Sequence, residues 1–82
     1  MRDANEIIVT IDHPFGTVEA TLAEWIERGP GPRPLVRPTA ARSALTGESL
    51  PLTVIPLRYR NDAESRRLIA TGELEPPPWH RP

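Results

Sequence analysis

Hydrophobic and polar positions alternate over residues 6–12, Glu6-Ile7-Ile8-Val9-Thr10-Ile11-Asp12, with Ile7, Val9 and Ile11 on one side. A period of two carried by β-branched residues predicts a strand. His13-Pro14-Phe15-Gly16 follows and reads as a turn, because Pro and Gly punctuate it. The period then lengthens. Val18, Leu22, Trp25 and Ile26 form one apolar stripe at helical spacing, while Glu24, Glu27 and Arg28 lie off it. This predicts a helix capped by Thr17, with Glu19 in its first turn, where the helix dipole favours negative charge. Gly29 and Pro30 end it.

Residues 29–34, Gly-Pro-Gly-Pro-Arg-Pro, form a stiff connector, and Leu35-Val36 is the natural start of a second strand. From Pro38 to Leu45 the pattern supports either a helical turn, through Ala40, Ala41 and Ala44, or extended chain. Thr46-Gly47-Glu48-Ser49 reads as a turn. Residues 50–60 read as a long strand interrupted by Pro51 and Pro56, which places it at a sheet edge or bulges it, since proline cannot donate to a ladder. A second helix is expected from an Asn61 cap, with Glu64 three residues on, to about Thr71, with Gly72 as its stop. The fold expected is a single small α+β domain over residues 1–75, roughly β-α-β-β-α on an antiparallel or mixed sheet. An extended Pro-rich tail follows over residues 76–82.

Size changes this picture in one respect. A chain of 82 residues buries only about 60% of the surface its unfolded form exposes, so its core is thin. Such a core supports a binding face more readily than a deep catalytic pocket. The chain has no cysteine, which removes disulfides, thiolate nucleophiles and thiolate metal sites. Small secreted domains usually need disulfides, so the expectation leans to a reducing, cytoplasmic setting. No apolar run approaches the roughly 20 residues of a membrane helix, and the acidic opening around Asp3 and Glu6 does not read as a signal peptide.

The net charge of −1 conceals a polarity. Residues 1–27 hold six acids against Arg2, a charge of −5, whereas residues 28–67 hold eight arginines against Glu48, Asp62 and Glu64, a charge of +5. Every basic residue is Arg and none is Lys. That bias fits a coding preference, and it also suits planar recognition of carboxylate or phosphate.

Catalytic signatures are sparse. Thr46-Gly47-Glu48-Ser49 resembles the Thr-Gly-Glu-Ser loop of the P-type ATPase actuator domain, where the Glu helps water attack an aspartyl-phosphate. The resemblance covers about eight residues, Ala44 to Pro51, and the phosphorylated Asp-Lys-Thr-Gly motif it would serve is missing. The loop therefore reads as a hairpin turn. His13 and His80 are isolated imidazoles, no serine lies in a nucleophile elbow, and the absence of lysine removes Schiff-base chemistry. A minor hydrolase built on Glu48 or His13 is the weakest reading, and no cofactor is expected.

The leading expectation is a non-enzymatic accessory or regulatory protein that binds another protein, in the manner of an antitoxin, an immunity protein or an enzyme partner. Its candidate contacts are Arg37, Arg42, Arg58, Tyr59, Arg60 and Arg67, whose guanidinium groups suit an acidic partner. The 50–60 edge strand offers backbone pairing to a partner or to a second copy of the chain. The alternative is nucleic-acid binding through the same arginines. Trp79, behind Pro76-Pro77-Pro78, either docks on a partner or folds back onto the chain's own core.

Overall fold

The structure, a computed structural model, describes residues 3–33 and 35–80. Pro34 of the connector and Arg81 and Pro82 of the tail lie outside it, as do Met1 and Arg2. The architecture is α+β: four antiparallel strands in the order β2-β1-β3-β4, with two helices. The strands are β1 (Ile7–His13), β2 (Gly16–Thr21), β3 (Pro38–Ser43) and β4 (Ser49–Leu50). Helix α1 spans Leu22–Arg28 and α2 spans Ala63–Ala70.

β1 is the central strand because its side chains divide cleanly between two environments. Ile7 and Val9 are buried, and Ile11 packs against them. They face Ser43, Ala41 and Pro38 of β3, and on the other side Val9 and Ile11 face Ala20 and Val18 of β2. The register slips between Thr10 and Ile11, a bulge that accommodates Pro38. Leu22 and Trp25 of α1, together with Leu50 and Ile55, complete the core over this face. The molecule measures 38 × 32 × 18 Å, the thickness of two layers, so the opposite sheet face lies open. That face carries Ile8, Thr10 and Asp12 opposite Thr21, Glu19 and Thr17.

The first helix starts four residues later than its periodicity predicts. Residues 16–21 pair with β1 instead, and Thr21 rather than Thr17 is the cap, accepting from the Glu24 amide at 3.1 Å. The β-branched Thr17, Val18 and Thr21 suit a strand, and the hairpin satisfies their backbone groups. Val18 drops out of the helical stripe and sits 49% exposed at the sheet edge.

The expected strand over residues 50–60 is the larger correction. Only Ser49–Leu50 pairs with β3. Pro51 then turns the chain into two 3₁₀ turns, Leu52–Val54 and Leu57–Tyr59, and Pro56 separates them. Neither proline can donate to a ladder, and the local bonds Val54 N to Pro51 O (3.1 Å) and Tyr59 N to Pro56 O (2.9 Å) take up the backbone instead. The segment is still anchored, because Ile55 is completely buried. Leu35 and Val36 also stay outside the sheet, which β3 enters only at Pro38. The second helix is capped by Asp62, not Asn61. Asp62 Oδ1 accepts from Ser65 N at 2.8 Å, and Ser65 Oγ accepts in turn from Asp62 N at 3.1 Å. Asn61 adopts φ +52°, a conformation asparagine tolerates, and its side chain donates to Val36 O at 2.8 Å.

The tail returns to the core. Pro77 is buried and Trp79 packs edge-to-face on Trp25, with ring centroids 5.7 Å apart. The approach requires glycine at position 29, where φ is +60° and a Cβ would fall 2.3 Å from the Trp79 ring. Gly29→Ala should therefore combine backbone strain of about 1–2 kcal/mol with eviction of Trp79. In a double-mutant cycle with Trp79→Ala, denaturant unfolding is expected to show non-additivity of about 0.5 kcal/mol or more. The second substitution removes the clash and leaves only the strain.

Candidate functional site

The arginines singled out in the sequence do not form one patch. Arg42 lies on the open sheet face and reaches across β1 to Glu19 of β2, with Nε and Nη2 3.1–3.2 Å from the carboxylate oxygens. This fork clamps the sheet from one side. In an extended strand Arg58 and Arg60 would share a face. Because the segment is turned rather than extended, the two part. The Arg58 guanidinium stacks 4.9 Å from the centre of the Tyr59 ring and pairs with Glu75 at 3.3 Å. Arg60 folds back to donate Nε to Ile55 O at 2.8 Å. Arg37 is exposed and shares the lining of a cavity with Arg60. Arg67 stands exposed on α2 and lines neither of the two cavities described below.

Tyr59 and Trp79 are drawn together by the core. Trp25 donates its indole N–H to the Tyr59 carbonyl, and Tyr59 and Trp79 both pack against the buried cluster. Arg58 and Glu75 close the outer side of this seat. The fit leaves loose ends: the Trp79 indole nitrogen and Arg58 Nε are buried with no hydrogen-bond partner among the described residues. Tyr59 and Arg58 thus help to seat the tail that carries Trp79.

Two cavities among the described residues stand out. One, of about 400 Å³, lies between the start of β3 and the turned segment, lined by Arg37, Pro38, Thr39, Leu52, Ile55 and Arg60, among others. The second, broader at about 760 Å³, lies beside the β1–β2 turn and is lined by Asp12, His13, Pro14, Pro32, Arg33 and Leu35, with Val36. His13 Nδ1 there accepts from the Phe15 amide at 3.3 Å, and no serine, threonine or tyrosine lines that cavity. Glu48 sits exposed in the β3–β4 turn and lines neither cavity. That turn is built by Ser43, whose Oγ accepts from the amides of Leu45 and Thr46 at 3.2 and 3.3 Å. Among the described residues no cluster of His, Asp or Glu has the arrangement to hold a metal ion, and no helix is long and apolar enough to cross a membrane.

The β1–β2 turn carries a feature that the periodicity passes over. Phe15 is 84% exposed at its tip, with the Arg33 guanidinium 5.0 Å from its ring centre and the His13 ring 5.5 Å away. Leu35, 69% exposed, belongs to the same side through the cavity it shares with Arg33 and His13. With few aromatic residues in the chain, Phe15 is a natural candidate for the core, but the turn between Pro14 and Gly16 holds it outside. β2, which begins at Gly16, is an outer strand of the sheet, so one backbone edge has no strand partner. Comparison with protein-family models, with curated proteins and with solved structures finds no match for this chain.

Removal of the chain after Leu74 is expected to destabilise the whole domain rather than merely shed a tail, because Pro77 and Trp79 belong to its packing. Glu75→Ala should cost only about 0–1 kcal/mol, as its ion pair is solvent-facing. Urea unfolding of the two variants, followed by circular dichroism, distinguishes a structural tail from a free one.

Proposed function

We propose that this chain is a non-enzymatic binding protein that docks another protein at the β1–β2 hairpin, along the β2 edge and over the exposed side chains at its turn. The observation that carries the reading is the exposure of Phe15 and Leu35, 84% and 69%, each beside His13 and Arg33 at the turn that opens the outer strand β2. Large apolar side chains gathered on a surface favour burial against a partner, and aromatic anchors dominate such contacts. Arg33, stacked on Phe15, adds a polar rim to the apolar centre.

The edge contributes the second half. Six residues of β2 span about 20 Å at the usual rise per residue, with backbone groups available to an extended partner segment. The edge carries Thr17, Val18 and Glu19, with neither proline nor lysine to discourage pairing. The β-branched Thr17 and Val18 on this edge suit an extended partner segment with apolar side chains. An antitoxin, an immunity protein or an enzyme partner would each use such a surface.

The test is affinity purification from the native host with wild-type protein, Phe15→Asp, Leu35→Asp and, as a control on α2, Arg66→Ala. A near-stoichiometric partner is expected with wild type and Arg66→Ala and is expected to be lost from both hairpin-side variants, with unfolding midpoints unchanged. Retention of the partner by Phe15→Asp and Leu35→Asp, or its absence from the wild type, would refute the proposal.

The same arrangement predicts weak interaction with nucleic acid, since Arg42 and Arg58 are paired internally. Fluorescence anisotropy with a random duplex at low salt should show no saturable binding. Micromolar affinity that collapses as salt rises would instead favour the nucleic-acid reading.

A further inference from the structure

The cavity between β3 and the turned segment lies apart from the hairpin and has a different chemistry. β3 and β4 pair only at Ala41–Leu50 and Arg42–Ser49. Pro51 then carries the chain away into the Leu52–Val54 turn, so the first half of β3 has no strand partner on its β4 side. The gap is floored by buried Ile55 and Pro38 and flanked by Leu52. At about 400 Å³ it falls in the lower range of small-molecule sites, which run about 300–1,000 Å³.

Its polar groups converge on one charge type. Arg60 is held in place by the Nε bond to Ile55 O at 2.8 Å, which fixes the guanidinium plane while its Nη groups bond to no other described residue. Arg37 lines the same cavity and forms no ion pair among the described residues. Thr53 adds a hydroxyl group, whereas the Thr39 hydroxyl donates to Thr10 O at 3.4 Å. The single opposing charge, Asp62, is engaged as the cap of α2 through its bond with Ser65 N at 2.8 Å. Two guanidinium groups against one engaged carboxylate leave the cavity positive.

We propose that this cavity binds a small organic carboxylate, with the carboxylate held between Arg37 and Arg60 and a short apolar body resting on Leu52 and Pro38. The planar fork of arginine matches a carboxylate in two parallel hydrogen bonds, and the preset Arg60 lowers the cost of ordering it. The apolar floor separates this site from a general anion site, because inorganic phosphate gains nothing from it.

Titration of the isotopically labelled full chain with acetate, butyrate, hexanoate and inorganic phosphate, at constant ionic strength, tests the assignment by NMR. Saturable shifts are expected at the Arg60 Nε–H signal and at the Thr39 and Thr53 amides, with affinity rising from acetate to hexanoate. Arg37→Gln should weaken hexanoate about tenfold or more, the effect of losing one charged hydrogen bond. Arg60→Lys should weaken it as well. The Arg37 side chain is exposed and forms no ion pair among the described residues, so its variant keeps the fold even if Arg60→Lys loosens the segment at Ile55. Linear, unsaturated shifts would overturn the proposal. So would equal affinity in Arg37→Gln, or phosphate binding as tightly as hexanoate.

Discussion

Trp25 joins the two halves of this molecule. It is nearly fully buried, and its ring lies against the face of the sheet that carries Ile7 and Val9. Its indole nitrogen donates to the Tyr59 carbonyl and its ring receives the edge of Trp79. A hairpin with one short helix has little surface to bury by itself, and the region after residue 50 has no sheet to join. One large side chain with a polar handle resolves both problems, because it fills the centre and fixes the position of a turn that carries no ladder of its own. Truncation of a buried tryptophan typically costs about 3–5 kcal/mol, a large part of the stability of a domain this small.

That junction decides what the arginines do. Tyr59 is held by its carbonyl, so Arg58 beside it points towards the returning tail and meets Glu75. Arg60, one step further along the turn, is directed back to Ile55 and to the cavity. In a strand the two would have shared a face. A cluster that is dense in sequence is therefore divided among three tasks: clamping the sheet, holding the tail and lining a cavity. The acidic first third and the basic middle of the chain meet in the same way, since Glu19 and Arg42 pair across the open face.

The parts of the fold legible in the sequence are those where local and tertiary forces agree. The alternation of Ile7, Val9 and Ile11, the Pro14–Gly16 turn, the stop at Gly29 and the second helix all appear where pattern and punctuation place them. The failures occur where two signals compete. Residues 17–21 satisfy a helical stripe through Val18, but they also satisfy a hairpin, and six cross-strand pairs with β1 outweigh the helix. Residues 50–60 are apolar enough for a strand, yet two prolines deprive the ladder of donors, and the chain resolves the conflict with local turns. The α+β class survives both errors, because it depends on the number of elements and not on their limits. The candidate site was less legible. Which arginines share a surface depends on turn geometry that no periodicity encodes, and the same holds for Phe15, an aromatic residue suited to the core that the Pro14–Gly16 turn instead leaves 84% exposed.

A two-layer domain with a thin core exposes what it cannot cover, and the location of that exposure is informative. The open sheet face is largely polar and is crossed by the Glu19–Arg42 clamp, as expected of a surface facing water. The tail covers the side of Trp25 that the helix leaves bare. Phe15 and Leu35 are different. The chain has a proline-rich segment close at hand in residues 30–33, and it places Arg33 over Phe15 without burying the ring. The same chain closes its other large aromatic residues, Trp25 fully and Tyr59 and Trp79 in part. An aromatic ring left out by a chain that covers the rest, at the start of a strand with a free edge, is most economically explained by a surface completed by another molecule.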